Sequence, residues 1–255
     1  STITATSTAS TSAATVLAAT EIVKKAVEFS DKAIASDPDN YNNYVSRARV
    51  SELATAMKMQ DAYESAVAAY MNAIRRNSGN PSIYLSLARL QASQDKLDDS
   101  IQAIGAALQV KPNYLDAVYL LSQVEAAKGN LPDAIIAADF ATRLNPQNPL
   151  LFFQLGLLQY NSADYASAST SLAKALSLNP DYANASYFLG LSAARVGNIS
   201  EAIAIFEKLL AANPGNEEIA LILTTLRAGK PLFGAGPQSQ AARPEQRSTP
   251  PIKQQ

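Results

Sequence analysis

Apolar and small residues recur along this chain with a period of 34. Leucine stands at Leu87, Leu121, Leu155 and Leu189, and a small residue follows each at Ala88, Ser122, Gly156 and Gly190. A second small position reads Ser100, Ala134, Ala168 and Ala202, and a third reads Ala107, Ala141 and Ala175 before Leu209 breaks it. Proline closes each period, at Pro112, Pro146, Pro180 and Pro214. A period of this length marks a repeat architecture. Beyond it, residues 217–229 predict one more helix, with Glu217 and Glu218 at its positive end and Arg227 and Lys230 near its negative end. Gly229 supplies a left-handed cap and Pro231 stops the helix. Residues 1–15 contain ten Ser or Thr, which predicts a solvated segment without a nucleated helix. The stretch from 230 to Gln255 is rich in Pro, Gly, Gln and Ser around an apolar island, Pro231-Leu232-Phe233, and predicts a flexible extension.

The Leu-small, small and Pro positions together resemble the tetratricopeptide repeat. That resemblance implies an all-α solenoid of helical hairpins: a first and a second helix (A and B) per unit, small residues where they cross, and proline at the exit. The register holds over units 81–114, 115–148, 149–182 and 183–216. The family's first aromatic varies here as Tyr84, Val118, Phe152 and Ser186, and its later tyrosine is replaced by Gln91, Glu125, Gln159 and Ala193. Upstream, Pro38 lies 74 residues before Pro112, so 41–80 reads as a unit with six extra residues, placed around Glu52–Tyr63. Before it, 15–40 supplies a helix B over Glu21–Ser36, with Ala26, Ser30 and Ala33 in register and no clear helix A. The organisation is therefore a Ser/Thr-rich segment 1–14, a solenoid 15–229 that ends in the helix 217–229, and a tail 230–255.

Composition removes most chemistry. The 255 residues are 47% hydrophobic, enough for a packed core, and contain neither Cys nor His. Thiol nucleophiles, disulfides, thiolate or imidazole metal sites and the commonest general base are thereby excluded. The chain holds no phosphate loop and no nucleophile elbow, and Asp95, Asp98 and Asp99 sit near a turn as solvated surface. The expectation is a non-catalytic protein with no cofactor and no metal. Charged residues are 17% and the net charge is −1, so no field of one sign exists to hold nucleic acid or an anionic membrane. No apolar run reaches the ~18 residues of a membrane span, so no direct membrane insertion is expected. The chain begins at Ser1 rather than Met, which implies a removed leader or a larger parent chain.

Two surfaces are candidates for binding protein. In the repeat the resemblance implies, one stripe of helix A lines a concave groove. Its positions here are Leu85, Tyr119, Phe153, Leu157, Tyr160, Tyr187, Leu191 and Arg195, an aromatic slot for an extended peptide. The Lys and Asn of the carboxylate-clamping subclass are missing from these positions. The second surface is a junction between copies. An unpaired helix B opens the solenoid and an unpaired helix A closes it, so head-to-tail docking would complete a repeat and propagate as a filament. Val23, Val27, Ile219, Ile222, Leu223 and Leu226 are its candidate residues, with Leu232 and Phe233 as a strap. The preferred expectation is a scaffold that assembles with its own copies; the alternative is a monomeric adaptor holding a partner's peptide. Sequons at Asn184 and Asn198, and Thr4, Thr6 and Thr8, are candidate glycosylation sites. They point to an extracellular or bacterial-envelope setting, with the cytoplasm as the alternative. General character also resembles the tetratricopeptide portion that follows membrane-spanning domains in some envelope proteins.

Overall fold

The computed structural model describes residues 3–232, with side chains from Val16 onward; Phe233 and the rest of the tail, and the side chains of Thr4, Thr6 and Thr8, lie outside the described residues. Those residues form twelve helices and no strand. The chain divides into two units, Ser1–Leu120 and Leu121–Gln255.

In the first unit, α1 (Ile3–Ser36) packs on α2 (Tyr41–Ala56), α2 on α3 (Ala62–Arg76), α3 on α4 (Pro81–Ser93), and α4 on α5 (Leu97–Val110). Helix α6 (Leu115–Ala127) spans the division. In the second unit α7 (Leu131–Leu144), α8 (Pro149–Asn161), α9 (Tyr165–Leu178), α10 (Ala183–Arg195), α11 (Ile199–Ala212) and α12 (Glu217–Arg227) pack each on the next. Regular hairpins pair a 13-residue helix A with a 14-residue helix B.

The small positions are where the hairpins close. Ala88, Ser122, Ser100, Ala134, Ala168, Ala202, Ala107, Ala141 and Ala175 are all fully buried. Ser100 sits under α4 and donates its hydroxyl to the Ala88 carbonyl at 2.8 Å, so a buried polar side chain is paired at the crossing. A Cβ on Gly156 would stand 2.7 Å from Leu172 Cγ, and one on Gly190 2.8 Å from Phe206 Cε2. Asparagine starts most A helices. Asn40, Asn80, Asn148 and Asn216 accept backbone N–H groups of the first turn at 3.0–3.1 Å, satisfying donors that have no intrahelical partner.

The six extra residues of unit 41–80 are spread over the hairpin. Helix α2 is three residues longer than α4, α3 one longer than α5, and the turn 57–61 two longer than 94–96. That turn closes with Lys58 and Asp61 in the left-handed region, at φ 56° and 55°. The end of α12 follows its sequence signals, with Gly229 at φ 63° behind Arg227.

One expectation fails at the N-terminus. The Ser/Thr-rich stretch is not a non-helical segment: α1 starts at Ile3 and continues unbroken to Ser36. Serine and threonine each cost only about half a kcal/mol against alanine in a helix, and no Gly or Pro interrupts residues 1–36. Extending an existing helix through them needs no new nucleus.

Candidate protein-interaction surfaces

Helix α1 lies antiparallel to α2. Val23 packs with Ala54, Ala62, Met57 and Met59 at one end, and Arg47 Nε meets Asp31 Oδ1 at 2.7 Å. At the other end Asn43 Nδ2 donates to the carbonyls of Ala33 and Asp37 at 3.0 Å. This pairing places the end of α2 opposite about residue 21 of α1. The preceding residues of α1 therefore extend roughly 25 Å past it at 1.5 Å per residue.

Another face of α1 is open. It carries Ile22, 67% exposed, and Phe29, 68%, beside Lys25 and Lys32, with Lys32 Nζ 5.6 Å from the Phe29 ring centre; Val16 and Leu17 are exposed elsewhere on the helix. Phe29 occupies the register position of Ala103, Ala137 and Ser171, which are no more than 8% exposed because helix A of their own unit covers them. Ser171 shows the contact directly, donating to Gln159 Oε1 of α8 at 2.7 Å. Position for position, then, α1 presents the face of a helix B that a helix A normally hides.

At the far end α12 does the reverse. Ile219, Ile222, Leu223 and Leu226 are buried in the core of the second unit, and Tyr187 of α10 donates its hydroxyl to Glu218 Oε1 at 2.6 Å. The junction expected at those four residues, and at buried Val23, is thereby corrected: each is already used inside its own unit. Val27 is half-buried. What α12 leaves open is Leu221, 66% exposed, together with Thr224, Arg227 and Ala228. Leu232 packs partly on the same core and lines a small cavity with Ala194, Arg195, Ile199, Leu226, Lys230 and Pro231.

The aromatic stripe is divided between the two units and is only partly open. Leu85 in the first unit, and Tyr160, Tyr187 and Leu191 in the second, are core residues rather than groove walls. The rings pack on one another: Phe153 lies 4.8 Å from Tyr182 and 6.1 Å from Phe188, and Tyr187 lies 5.8 Å from Phe206. Tyr119 remains half-open, and burial holds its hydroxyl above the ordinary tyrosine range. In the second unit Phe153 and Leu157 are half-buried, Leu150 is exposed, and Arg195 is exposed with its guanidinium 5.3 Å from the Tyr165 ring centre.

Of the two sequons, Asn198 is exposed in the turn behind Gly197, whose φ is 90°. Asn184 lies in α10, 5% exposed, and its Oδ1 has no hydrogen-bond partner. Its amide is out of reach of a transferase in the folded chain. Sequence reasoning also missed a buried polar pair. Tyr70 of α3 donates to Glu52 Oε1 of α2 at 2.9 Å, and burial raises the Glu52 carboxyl while the Tyr70 bond and Arg49 oppose it. Its signal was a carboxylate at Glu52, the register position of Ala92 in α4. Among the described residues no cluster of acidic side chains could hold a metal, and no helix is long and apolar enough to cross a membrane.

Comparison with known proteins agrees with this geometry. A family model described as tetratricopeptide repeat matches residues 55–108, 85–149 and 153–217. No curated protein sequence matches the chain. Among solved structures, YrrB, described as a tetratricopeptide repeat protein with an unusual peptide-binding site, is similar at a TM-score of 0.63 and 22% identity, over 78% of this chain and 100% of that one. The C-terminal part of a repeat protein from Cytophaga hutchinsonii gives 0.65 and 22%, over 77% and 76%. PilF of Pseudomonas aeruginosa gives 0.58 and 17%, over 82% and 91%. At these identities the structures speak for the fold alone. The family-model matches cover more than half of the chain, which belongs to the tetratricopeptide repeat family, a fold of protein–protein interaction scaffolds.

Proposed function

We propose that this chain is a non-catalytic scaffold that joins copies of itself end to end, α12 of one copy docking on the open face of α1 of the next. The observation that carries the reading is Phe29, 68% exposed at a position that three regular hairpins bury, as Ala103, Ala137 and Ser171, and that the fourth half-buries as Ile205. The register of the regular hairpins supports one particular joint. Gly156 crosses Leu172 and Ala168, so Thr224 falls against half-buried Ala26 and the edge of Ser30, which α1 leaves 8% exposed. Gln159 reaches Ser171, so Arg227 falls over Phe29, a cation on an aromatic face. Such a contact is heterologous and continues as a filament unless it closes into a ring.

The experiment blocks one end at a time. Phe29 and Leu221 are exposed, so Phe29→Asp and Leu221→Asp leave the fold intact. Sedimentation of the wild type is expected to show mass rising with concentration, and each variant alone to stay monomeric. A mixture of the two variants pairs through its remaining intact ends and stops at a one-to-one dimer. A wild type that stays monomeric at all concentrations, or variants that assemble as it does, would refute the joint.

A second reading is capture of an extended peptide along α8. It is supported by Leu150, Phe153 and Leu157, which follow one another at helical spacing with exposed or half-exposed side chains. YrrB, the similar structure with a peptide-binding site, makes the reading worth a direct test.

A further inference from the structure

We infer that the segment captured along α8 belongs to another protein and is acidic just beyond its apolar residues, its side-chain carboxylate entering the cavity between Arg195 and Lys230. The inference deepens the peptide-capture reading and rests on it; it adds the charge of the partner and the place that reads that charge. Three observations carry it.

The first is the cavity at the ends of α10 and α12. It holds about 260 Å³, with Ile199 and buried Leu226 among its apolar walls and Arg195 and Lys230 as its cations. The described residues that line it include no acidic one. Its volume is below the ~300–1,000 Å³ of a small-molecule site, so it suits one side chain of a larger partner. A carboxylate there meets two cations beside an apolar wall, where the attraction is screened less than in bulk water.

The second observation is the sign of the surrounding charge. Lys174 of α9 lies 5.9 Å from the Phe152 ring centre, which adds a further cation against α8. The acidic groups of the flanking elements are engaged within the chain. Asp164 accepts the Ser167 N–H at 3.1 Å, and Glu201 accepts from the Asn198 amide at 3.4 Å. Glu207 pairs with Arg227 at 2.6 Å, and Glu218 takes the Tyr187 hydroxyl. A basic segment is therefore repelled at the cavity and an acidic one is drawn to it.

The third observation is distance. The stripe Leu150, Phe153 and Leu157 ends four register positions short of Arg195, about 6 Å along the helix. Helices α8 and α10 pack on each other, which sets their axes about 8–10 Å apart. Leu157 and Arg195 are then about 11 Å apart at the backbone, or about three residues of extended chain. Ring contacts hold Arg195 toward this end of α8. Its guanidinium lies 5.3 Å from the Tyr165 ring centre, and Tyr165 packs on Tyr160 of α8 at 5.2 Å. An acidic residue three or four positions past an apolar one thus reaches the cavity while the apolar one covers Leu157.

Fluorescence anisotropy with the full-length protein tests this. The probe is a fluorescein-labelled decapeptide with leucine and serine alternating over its first six positions, then Gly, Glu, Glu and Gly. Its C-terminus is amidated, so only side-chain carboxylates are read, and a twin carries Gln in place of both Glu. The wild type is expected to bind the acidic probe at least about ten-fold more tightly than the twin. Arg195 and Lys230 are exposed, so Arg195→Gln/Lys230→Gln keeps the fold and is expected to bind both probes equally. Arg195→Glu/Lys230→Glu is expected to prefer the twin. Leu150→Asp, also at an exposed position, is expected to weaken both probes on the wild-type background. Equal binding of the two probes to the wild type overturns the acidic partner and leaves peptide capture standing. So does a preference that survives in Arg195→Gln/Lys230→Gln, whereas no binding of either probe removes both readings.

Discussion

Adding one methyl group at Gly156 and at Gly105 is expected to change stability in opposite directions. Both glycines lie inside helices, α8 and α5, where alanine is favoured over glycine by about 1 kcal/mol. At Gly105 nothing lies within 4 Å of the added Cβ, so the propensity gain stands alone and Gly105→Ala is stabilising by about 1 kcal/mol. At Gly156 the Cβ would meet Leu172 Cγ at 2.7 Å, Leu172 Cδ2 at 3.0 Å and the Ala168 carbonyl oxygen at 3.3 Å. Leu172 is fully buried and is struck at its branch point, and a carbonyl within α9 cannot yield without the helix moving. Overpacking of this kind costs about 1–3 kcal/mol, which outweighs the helix gain and leaves a net loss of up to about 2 kcal/mol. Urea unfolding monitored by circular dichroism measures both variants against the wild type. A shift of the same sign for the two, or a stabilised Gly156→Ala, would show that the hairpin crossing is not as close as this packing requires.

Glu52 gives a pH signature. Its carboxyl is raised by burial, so the folded state favours the neutral form. That contribution is complete below the ordinary glutamate range and is lost as pH rises through the folded value. Glu52→Gln keeps an acceptor for Tyr70, so its Tm is expected to exceed that of the wild type at pH 7 and to converge with it near pH 4. A variant less stable at both would contradict the burial argument. Asn148→Ala removes the side-chain acceptor for the Leu150 N–H at the start of α8; it is expected to cost about 1 kcal/mol. In a chain of this size that lowers Tm by about 2–4 °C in a thermal scan.

The hairpins were legible because their determinants are local and repeated. Ala88, Gly156, Ala168 and Ala202 are small for one reason, close crossing, and that reason recurs every 34 residues. Cap residues were equally available, since Asn80, Asn148 and Asn216 precede every second regular helix A, yet register alone drew no attention to them. Exposure was not legible. Tyr119 and Tyr187 share a register position, but Tyr187 is closed over by α12 through Glu218 whereas Tyr119 stays half-open. Repetition tells which helix face a residue occupies; the neighbours of that particular repeat decide whether the face meets solvent. The same distinction misassigned the junction. The apolar residues of α12 were visible in sequence, but they serve its own core, and the open positions are the less conspicuous Leu221, Thr224 and Phe29.

Volume at the crossing supports the proposed joint and supplies its sharpest test. In the regular hairpins the helix A residue is smallest where its opposite is largest: Ala88 stands at the Ile104 position, Ser122 at Ala138, Gly156 against Leu172, and Gly190 against Phe206. In α12 that residue is Thr224, which is too large for a partner such as Ile104, Leu172 or Phe206. On α1 the opposing position is Ser30, small like Ala138, with Ala26 beside it. Thr224 on Ser30 therefore resembles the small-on-small pair Ser122 and Ala138 more than the glycine crossings. Thr224 is exposed, so a larger side chain there leaves the unit folded while preventing the approach. Thr224→Trp is expected to abolish concentration-dependent assembly in sedimentation, and Thr224→Ala to retain it. If Thr224→Trp assembles like the wild type, α12 does not meet α1 through this face, because no crossing on Ser30 and Ala26 accommodates an indole.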